Sequence, residues 1–422
     1  MHILFLSHYY PPEVNAPATR TSEHCRHWVE KGHKVTVVTC VPNHPQGKIY
    51  PGFKNRLFQR ETVDGVEVIR LWTYITANEG FFKRTLNYVL YMFAVILALP
   101  FLPKANVVIS TSPQFFCGLA GFFYSFFKRA RWILEIRDLW PESIIAVGAI
   151  KNKTVVRILE WLERFAYRRS HKIVCVTDAF KKYISSKGIA PEKIEVVKNG
   201  VDLKLFSEFS GTNELAEELN LSDKFVASYV GTHGMAHHLE TVMEAAEILS
   251  HRPDITFILV GDGAEHNRLM QMKERMNLHN VLMLGQMPKA RMPEIWDLSD
   301  TSLVLLKKSD LFKTVIPSKI FESMAMQKPI ILGVEGEVKE IIDAADCGIS
   351  IEPENANELA EAIVLLADNP KIKAEKGAHG LDYVKNYFDR RVLAHRYCEV
   401  IEETCLKPQK RKMAHIDDYT EK

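Results

Sequence analysis

Most of the short signatures that name a chemistry are missing from this chain. It has no HExxH, no GxSxG, no phosphate-binding P-loop and no metal-carboxylate cluster. GxGxxG with a following acidic partner is missing too, so the usual dinucleotide fingerprint is excluded. Neither sign of charge dominates. With 54 Lys and Arg against 52 Asp and Glu, the net charge is +2, and no nucleic-acid partner is implied. The seven cysteines are Cys25, Cys40, Cys117, Cys175, Cys347, Cys398 and Cys405. They are odd in number and contain no CxxC pair, which reads as reduced thiols in a cytosolic protein and not as a disulfide framework or zinc site. The opening MHILFLSHYYPP lacks a basic n-region, and its apolar run has a strand's length.

What is present is ordinary globular material. Across 422 residues, 47% are hydrophobic and 25% charged, and that length predicts two domains. His2–Ser7, Val35–Thr39, Val66–Trp72, Val107–Ser110, Trp132–Ile136, Ile173–Val176 and Ile194–Val197 read as strands. Helical stretches lie between several of them, including Thr19–Lys31, closed by Gly32. Pro42–Arg60 reads as loop. A second series has strands at Phe225–Val230, Ile255–Val260, Val281–Leu284, Thr301–Leu306 and Ile349–Ile351. The fold class is therefore α/β, with two alternating strand–helix domains and a parallel sheet in each. The first spans 1–206 and the second 207–388. The stretch Ser207–Asn213 reads as the linker, Arg390–Cys405 as a last helix over 389–406, and 407–422 as a loose tail.

In such sheets ligands collect at the C-terminal strand ends, so His8 through Arg20 is a site-lining candidate. Arg137-Asp138 follows a buried strand. It is either poised over the crevice or forms a local Arg–Asp pair. Gly231-Thr232-His233-Gly234 and Gly261-Asp262-Gly263 end two strands of the second domain, where glycine lets a phosphate or base approach the backbone closely. The chain is organised around Thr314–Ile331. There Pro317 predicts a helix start, and Lys319 and Glu322 share its first turns. The helix end and Lys319 attract phosphate, and Glu322 can accept hydrogen bonds from a ribose diol.

Phe81–Pro103 is charge-free from Tyr88 to Leu99, shorter than the ~20 residues that span a bilayer. It is flanked by Lys83, Arg84 and Lys104. Phe115–Phe127 is a second greasy stretch, ending in Lys128-Arg129-Ala130-Arg131, and Lys151–Lys172 is a basic helix. Two readings are open: buried core helices with a solvated basic face, or shallow contact with an anionic membrane surface.

These residues carry a resemblance. YYPPE, APATR, EIRDLWPES, VKNGVD, the GDG after a strand, NVLMLGQM and PSKIFESMAM together resemble the GT-B glycosyltransferases of family 4. Within them the chain is similar to bacterial O-antigen and capsule enzymes, including N-acetylfucosamine transferases. The resemblance implies two Rossmann-like domains facing a cleft, with the C-terminal helix returning to the first. It implies a nucleotide-sugar donor, expected to be UDP-linked, a polyprenyl-diphosphate-linked acceptor and a cytoplasmic enzyme peripheral to the inner face of the plasma membrane. It also implies retention of configuration and no metal or other cofactor.

By the same resemblance, Glu322 matches the second Glu of the family's EX7E motif, while Thr314 stands where the first would be. Thr232 and His237 occupy the places of the family's phosphate-binding Arg and Lys, which leaves Lys319 as the candidate cation. Gly231, Gly234, Gly261, Met287, Ser318 and Glu340 complete the expected donor site, and Arg137, Asp138 and Lys319 are the expected catalytic residues. Asn15-Ala16-Pro17, with Arg20, matches the acceptor loop. Asn15 replaces a usual Gly and tolerates left-handed backbone angles. The rival readings are a UDP-N-acetylglucosamine 2-epimerase-like enzyme and a non-catalytic nucleotide-sugar-binding scaffold at the membrane.

Overall fold

A computed structural model describes residues 1–13, 15–44, 46–76, 81–112, 114–146, 150, 152–206 and 213–406. The linker at 207–212, the tail from 407 and Lys151 lie outside the described residues. Among the described residues, fourteen strands form two sheets. The first holds β1 (His2–Leu6), β2 (Lys34–Cys40), β3 (Phe58–Val63), β4 (Val66–Leu71), β5 (Val107–Thr111), β6 (Arg131–Ile136), β7 (Lys172–Cys175) and β8 (Ile194–Val196), in the order β3-β4-β2-β1-β5-β6-β7-β8. The second holds β9 (Phe225–Val230), β10 (Ile255–Val260), β11 (Val281–Gly285), β12 (Thr301–Leu305), β13 (Ile330–Gly333) and β14 (Gly348–Ser350), in the order β11-β10-β9-β12-β13-β14.

All pairings are parallel except β3 with β4. That strand corrects the reading of 42–60 as loop and of the first sheet as wholly parallel. Its sequence, FQRETV, is half exposed along its length, as an antiparallel edge tolerates, so the apolar run expected of a central strand is missing.

The first sheet is covered on one side by helices α2 (Phe81–Ala98) and α3 (Phe115–Lys128), basic α5 (Lys153–Arg169) and the helix Asp178–Ser186, with short α4 (Glu142–Ala146) following β6. Its other side is covered by α1 (Ala16–Glu30) and the last helix, Arg390–Leu406. The return of that helix is built from apolar packing: Leu393, Tyr397, Cys398 and Ile401 join Ile3, Phe5 and Trp28 in one core. The Trp28 indole N–H donates to the Ala394 carbonyl at 3.0 Å.

Two stretches cross between the domains side by side. Val201 and Phe206 already pack in the core of the second domain, so the chain crosses near Gly200, ahead of residue 206. It crosses back at Phe388–Arg390. A Cβ on Gly200 would sit 2.2 Å from the Phe388 carbonyl oxygen, and the Val201 N–H donates to that same oxygen at 3.0 Å. Glycine in VKNGVD thus lets one crossing lie against the other.

Candidate active site

In the second domain, Lys319 opens the helix Lys319–Ala325. The helix begins two residues later than Pro317 predicts, because the Ile320 and Phe321 N–H groups bond back to Pro317 and Ser318 in a tighter i−3 turn. Ser318 caps without a side-chain hydrogen bond.

The Lys319 ammonium lies 3.5 Å from the centre of the Tyr229 ring, and a Cβ on Gly231 would be 2.9 Å from its Nζ. The ammonium is buried and has no hydrogen-bond acceptor. Burial pushes its pKa down to about 7, with Glu322 pulling the other way. Three buried N–H donors with no acceptor are an expensive arrangement unless a ligand completes them. His237, edge-on to Tyr229, is pushed down to about 3 by burial, helped by Lys319, so it is neutral and supplies no second cation. Thr232 is exposed; its carbonyl accepts from the Tyr229 hydroxyl at 2.8 Å.

Glu322 accepts a hydrogen bond from the Trp296 indole at 3.4 Å. Burial raises its pKa, opposed by the nearby charges of Lys289 and Arg390. Those cations also bind Glu23 of α1, at 2.7 and 2.5 Å, so Glu23 ties the second domain and the returning helix to the first.

The glycine turns behave differently from expectation. Gly231 and Gly261 hold φ of 147° and 143°. A Cβ on Gly261 would fall 1.8 Å from the Gly231 carbonyl oxygen, and one on Gly263 would fall 2.5 Å from that of His233. The backbone that approaches these residues closely is the protein's own. Gly234 accepts the His237 N–H at 3.0 Å within the same turn. Met287 packs against the second core, and Glu340 is exposed on the helix Glu337–Ala345. The acidic residue that reaches the first domain is Glu337. Its carboxylate accepts the Asp178 and Ala179 N–H groups at 3.2 and 3.0 Å and pairs with Lys198 at 2.8 Å.

In the first domain three expectations are corrected. Asn15 is extended, with φ −152°, and no left-handed residue is needed there. Its side chain caps α1 by accepting the Ala18 N–H, so the helix starts at Ala16 with Pro17 in its first turn, three residues before Thr19.

Arg20 is 1% exposed and does not line the crevice. It donates to Glu135 at 2.7 Å, to the Val197 and Lys198 carbonyls at 2.9 and 3.0 Å, and to the Asn199 side chain at 3.1 Å. All of its nitrogens are satisfied inside the protein, tying the end of β6 to residues 197–199.

Arg137 and Asp138 do not act as one pair. Arg137 turns towards Arg20, Glu135 and Arg390; its Nε and Nη1 are buried without partners, and burial lowers its pKa to about 10. Asp138 turns to a small apolar cavity shared with Phe115, Trp140 and Tyr167, and burial lifts it to about 6. Glu13 of YYPPE, which the sequence left without a role, accepts the Tyr10, Asn43 and His44 N–H groups at 3.3, 2.9 and 2.9 Å and pins the loop after β2.

Residues 15–200 match the glycosyl transferase 4-like domain, and residues 212–379 match glycosyl transferases group 1. WcaI of Escherichia coli (strain K12), a glycosyl transferase provisionally assigned to colanic acid biosynthesis, is 24% identical over 90% of this chain and 97% of its own. The Escherichia coli UDP-Gal:alpha-D-GlcNAc-diphosphoundecaprenol alpha-1,3-galactosyltransferase is 29% identical over 53% of this chain and 58% of its own. The structure of Anabaena Alr3699/HepE with UDP and glucose superposes with a TM-score of 0.71 at 18% identity, covering 96% of this chain and all of that one. With both halves matched in order and the two sheets arranged as in those folds, the chain belongs to the family 4 glycosyltransferases of GT-B fold.

Proposed function

We propose that the protein moves a sugar from a UDP-linked donor to a polyprenyl-diphosphate-linked saccharide in surface-polysaccharide synthesis, with retention. The observation that carries this is the unpartnered Lys319 ammonium held between Tyr229 and Gly231 at the end of β9. In the reaction the acceptor oxygen bonds to the anomeric carbon, the bond from that carbon to the donor phosphate breaks, and the acceptor proton leaves. Charge grows on the departing diphosphate, and a preorganised cation is worth most there. Lys319 supplies that charge, so no metal is required for it. Support for the donor comes from the Anabaena structure with UDP, and for the acceptor from the diphosphoundecaprenol galactosyltransferase.

The acceptor reading has a second support in the first domain. One face of α2 is buried through Tyr91 and Val95, while Phe93 is 51% and Leu97 76% exposed. Phe126 and Phe127 of α3 and Ile158 and Trp161 of α5 extend this exposed apolar surface. Lys104, Arg129, Lys153, Arg157 and Arg168 are exposed on the same segments. Lys83–Phe101 is long and apolar enough to cross a membrane, yet it lies along the domain with one face in its core, as an interfacial helix does.

Incubation with UDP-sugars and polyprenyl-diphosphate saccharides tests the whole reading: a lipid-linked product one sugar longer is expected. Free epimerised sugar, or binding without turnover, rejects it in favour of the epimerase or the scaffold. Two narrower outcomes are expected. Glu322→Ala costs about 1.5–3 kcal/mol of UDP affinity, by loss of a charge-assisted hydrogen bond, in a normally folded protein; unchanged affinity by calorimetry removes the ribose role. The wild type floats with anionic vesicles at low salt, each nearby basic residue adding about 1 kcal/mol. Phe93→Asp abolishes flotation without lowering the melting temperature, since that side chain points outward. A folded wild type that never floats removes the membrane reading.

A further inference from the structure

The C-terminal half of the last helix presents Cys398, Glu402 and Cys405 at i, i+4 and i+7, which places them on one face. Opposite them stands His33, in the turn between α1 and β2. His33 Nε2 lies 3.2 Å from Cys398 Sγ and 3.4 Å from Glu402 Oε1, and Sγ lies 3.8 Å from Oε1. A zinc ion with bonds of about 2.3 Å to sulfur and about 2.0–2.2 Å to nitrogen and oxygen, in tetrahedral geometry, sets N···S and S···O edges of about 3.6 Å and an N···O edge of about 3.4 Å. The three observed edges lie close to those values before any ion is placed. The donor set is of the right chemistry: one soft thiolate, one imidazole and one carboxylate. Cys398 is fully buried, the His33 side chain is 11% exposed and that of Glu402 is 44% exposed, so the fourth corner opens towards solvent.

We infer that His33, Cys398 and Glu402 form a zinc-class metal site that staples the end of the last helix to the first domain. On binding, the Cys398 thiol releases its proton to solvent, and the ion takes the thiolate, the imidazole Nε2 lone pair and the carboxylate. A divalent ion is then neutralised, with water in the fourth position. Burial and Glu402 raise the Cys398 thiol to about 11 in the metal-free protein, so binding works against that proton. The Met1 amine, 3.3 Å from His33 Nδ1, and Lys31 oppose a cation, while Glu399 favours one. The site lies on the helix that closes the fold and takes no part in the sugar-transfer site proposed above.

The test uses the full-length protein, kept reduced, stripped with a chelator and titrated with Co²⁺. The expected result is one equivalent bound, with a near-ultraviolet thiolate-to-cobalt band and visible bands of tetrahedral intensity, all bleached by one equivalent of Zn²⁺. Zn²⁺ also raises the melting temperature of the stripped protein. Cys398→Ser removes the near-ultraviolet band, Glu402→Gln weakens binding at least about tenfold, and Cys405→Ser leaves both intact. If Cys398→Ser does not fold, the half-exposed Glu402→Gln and His33→Gln carry the test. No band under excess Co²⁺ in folded wild type, or a band that survives in folded Cys398→Ser and vanishes in Cys405→Ser, overturns the site.

Discussion

Replacing Lys319 by Ala lowers turnover by about 10²–10³-fold, and donor affinity falls far less. The buried ammonium faces no acceptor of its own, and His237, the nearest alternative base, is neutral. The cation is therefore free to meet the diphosphate, whose charge is greatest as the sugar leaves, so its loss is felt mainly in kcat. Steady-state kinetics alongside calorimetry with an intact UDP-sugar separates the two effects, since free UDP already carries the charge that develops as the sugar leaves. An affinity loss equal to or larger than the turnover loss would reassign Lys319 to ground-state binding.

A pH dependence accompanies this. Free Lys319 titrates at about 7, lowered by burial. A bound diphosphate favours the ammonium and raises that value. Below pH 7 the lysine is already charged and UDP affinity is full. Above pH 7 binding must take up a proton, so affinity falls as pH rises, up to about tenfold per unit, until the raised value in the complex is passed. Calorimetry in buffers of different ionisation enthalpy reads the proton uptake directly. Proton release above pH 7 contradicts the assignment.

Gly261→Ala is expected to destabilise the second domain by about 3 kcal/mol or more and to abolish donor binding. Two costs add. The residue holds φ 143°, where side-chain-bearing residues are strained, and the new Cβ would lie 1.8 Å from the Gly231 carbonyl oxygen. That obstacle is backbone, not a flexible side chain, so β9 and β10 must separate at their C-terminal ends. Gly231 would then move off Lys319. Denaturant unfolding measures the first loss and UDP calorimetry the second. A variant of wild-type stability and affinity would mean that the two turns do not depend on each other.

These results separate what local pattern encodes from what contact decides. The sheets of both domains were legible from runs such as Ile255–Val260, because strands buried on both faces must be continuously apolar. The polar edge strand Phe58–Val63 escaped that rule, since a strand with a solvated side needs no such run. Lys319 and Glu322 were legible as one unit because helical spacing alone puts them on one face.

The sequence by itself thus determined the fold class, the two-domain order and the segment that presents those two residues, all through periods of a few residues. Tertiary structure alone decided three things. It engaged all three guanidinium nitrogens of Arg20 through Glu135 and residues 197–199, 115 or more positions away. It turned Arg137 and Asp138 to opposite sides of one sheet. It brought His33 to Cys398 across 365 residues, where no spacing motif can register. A side chain's partners depend on which distant backbone packs beside it, and local sequence carries no record of that distance.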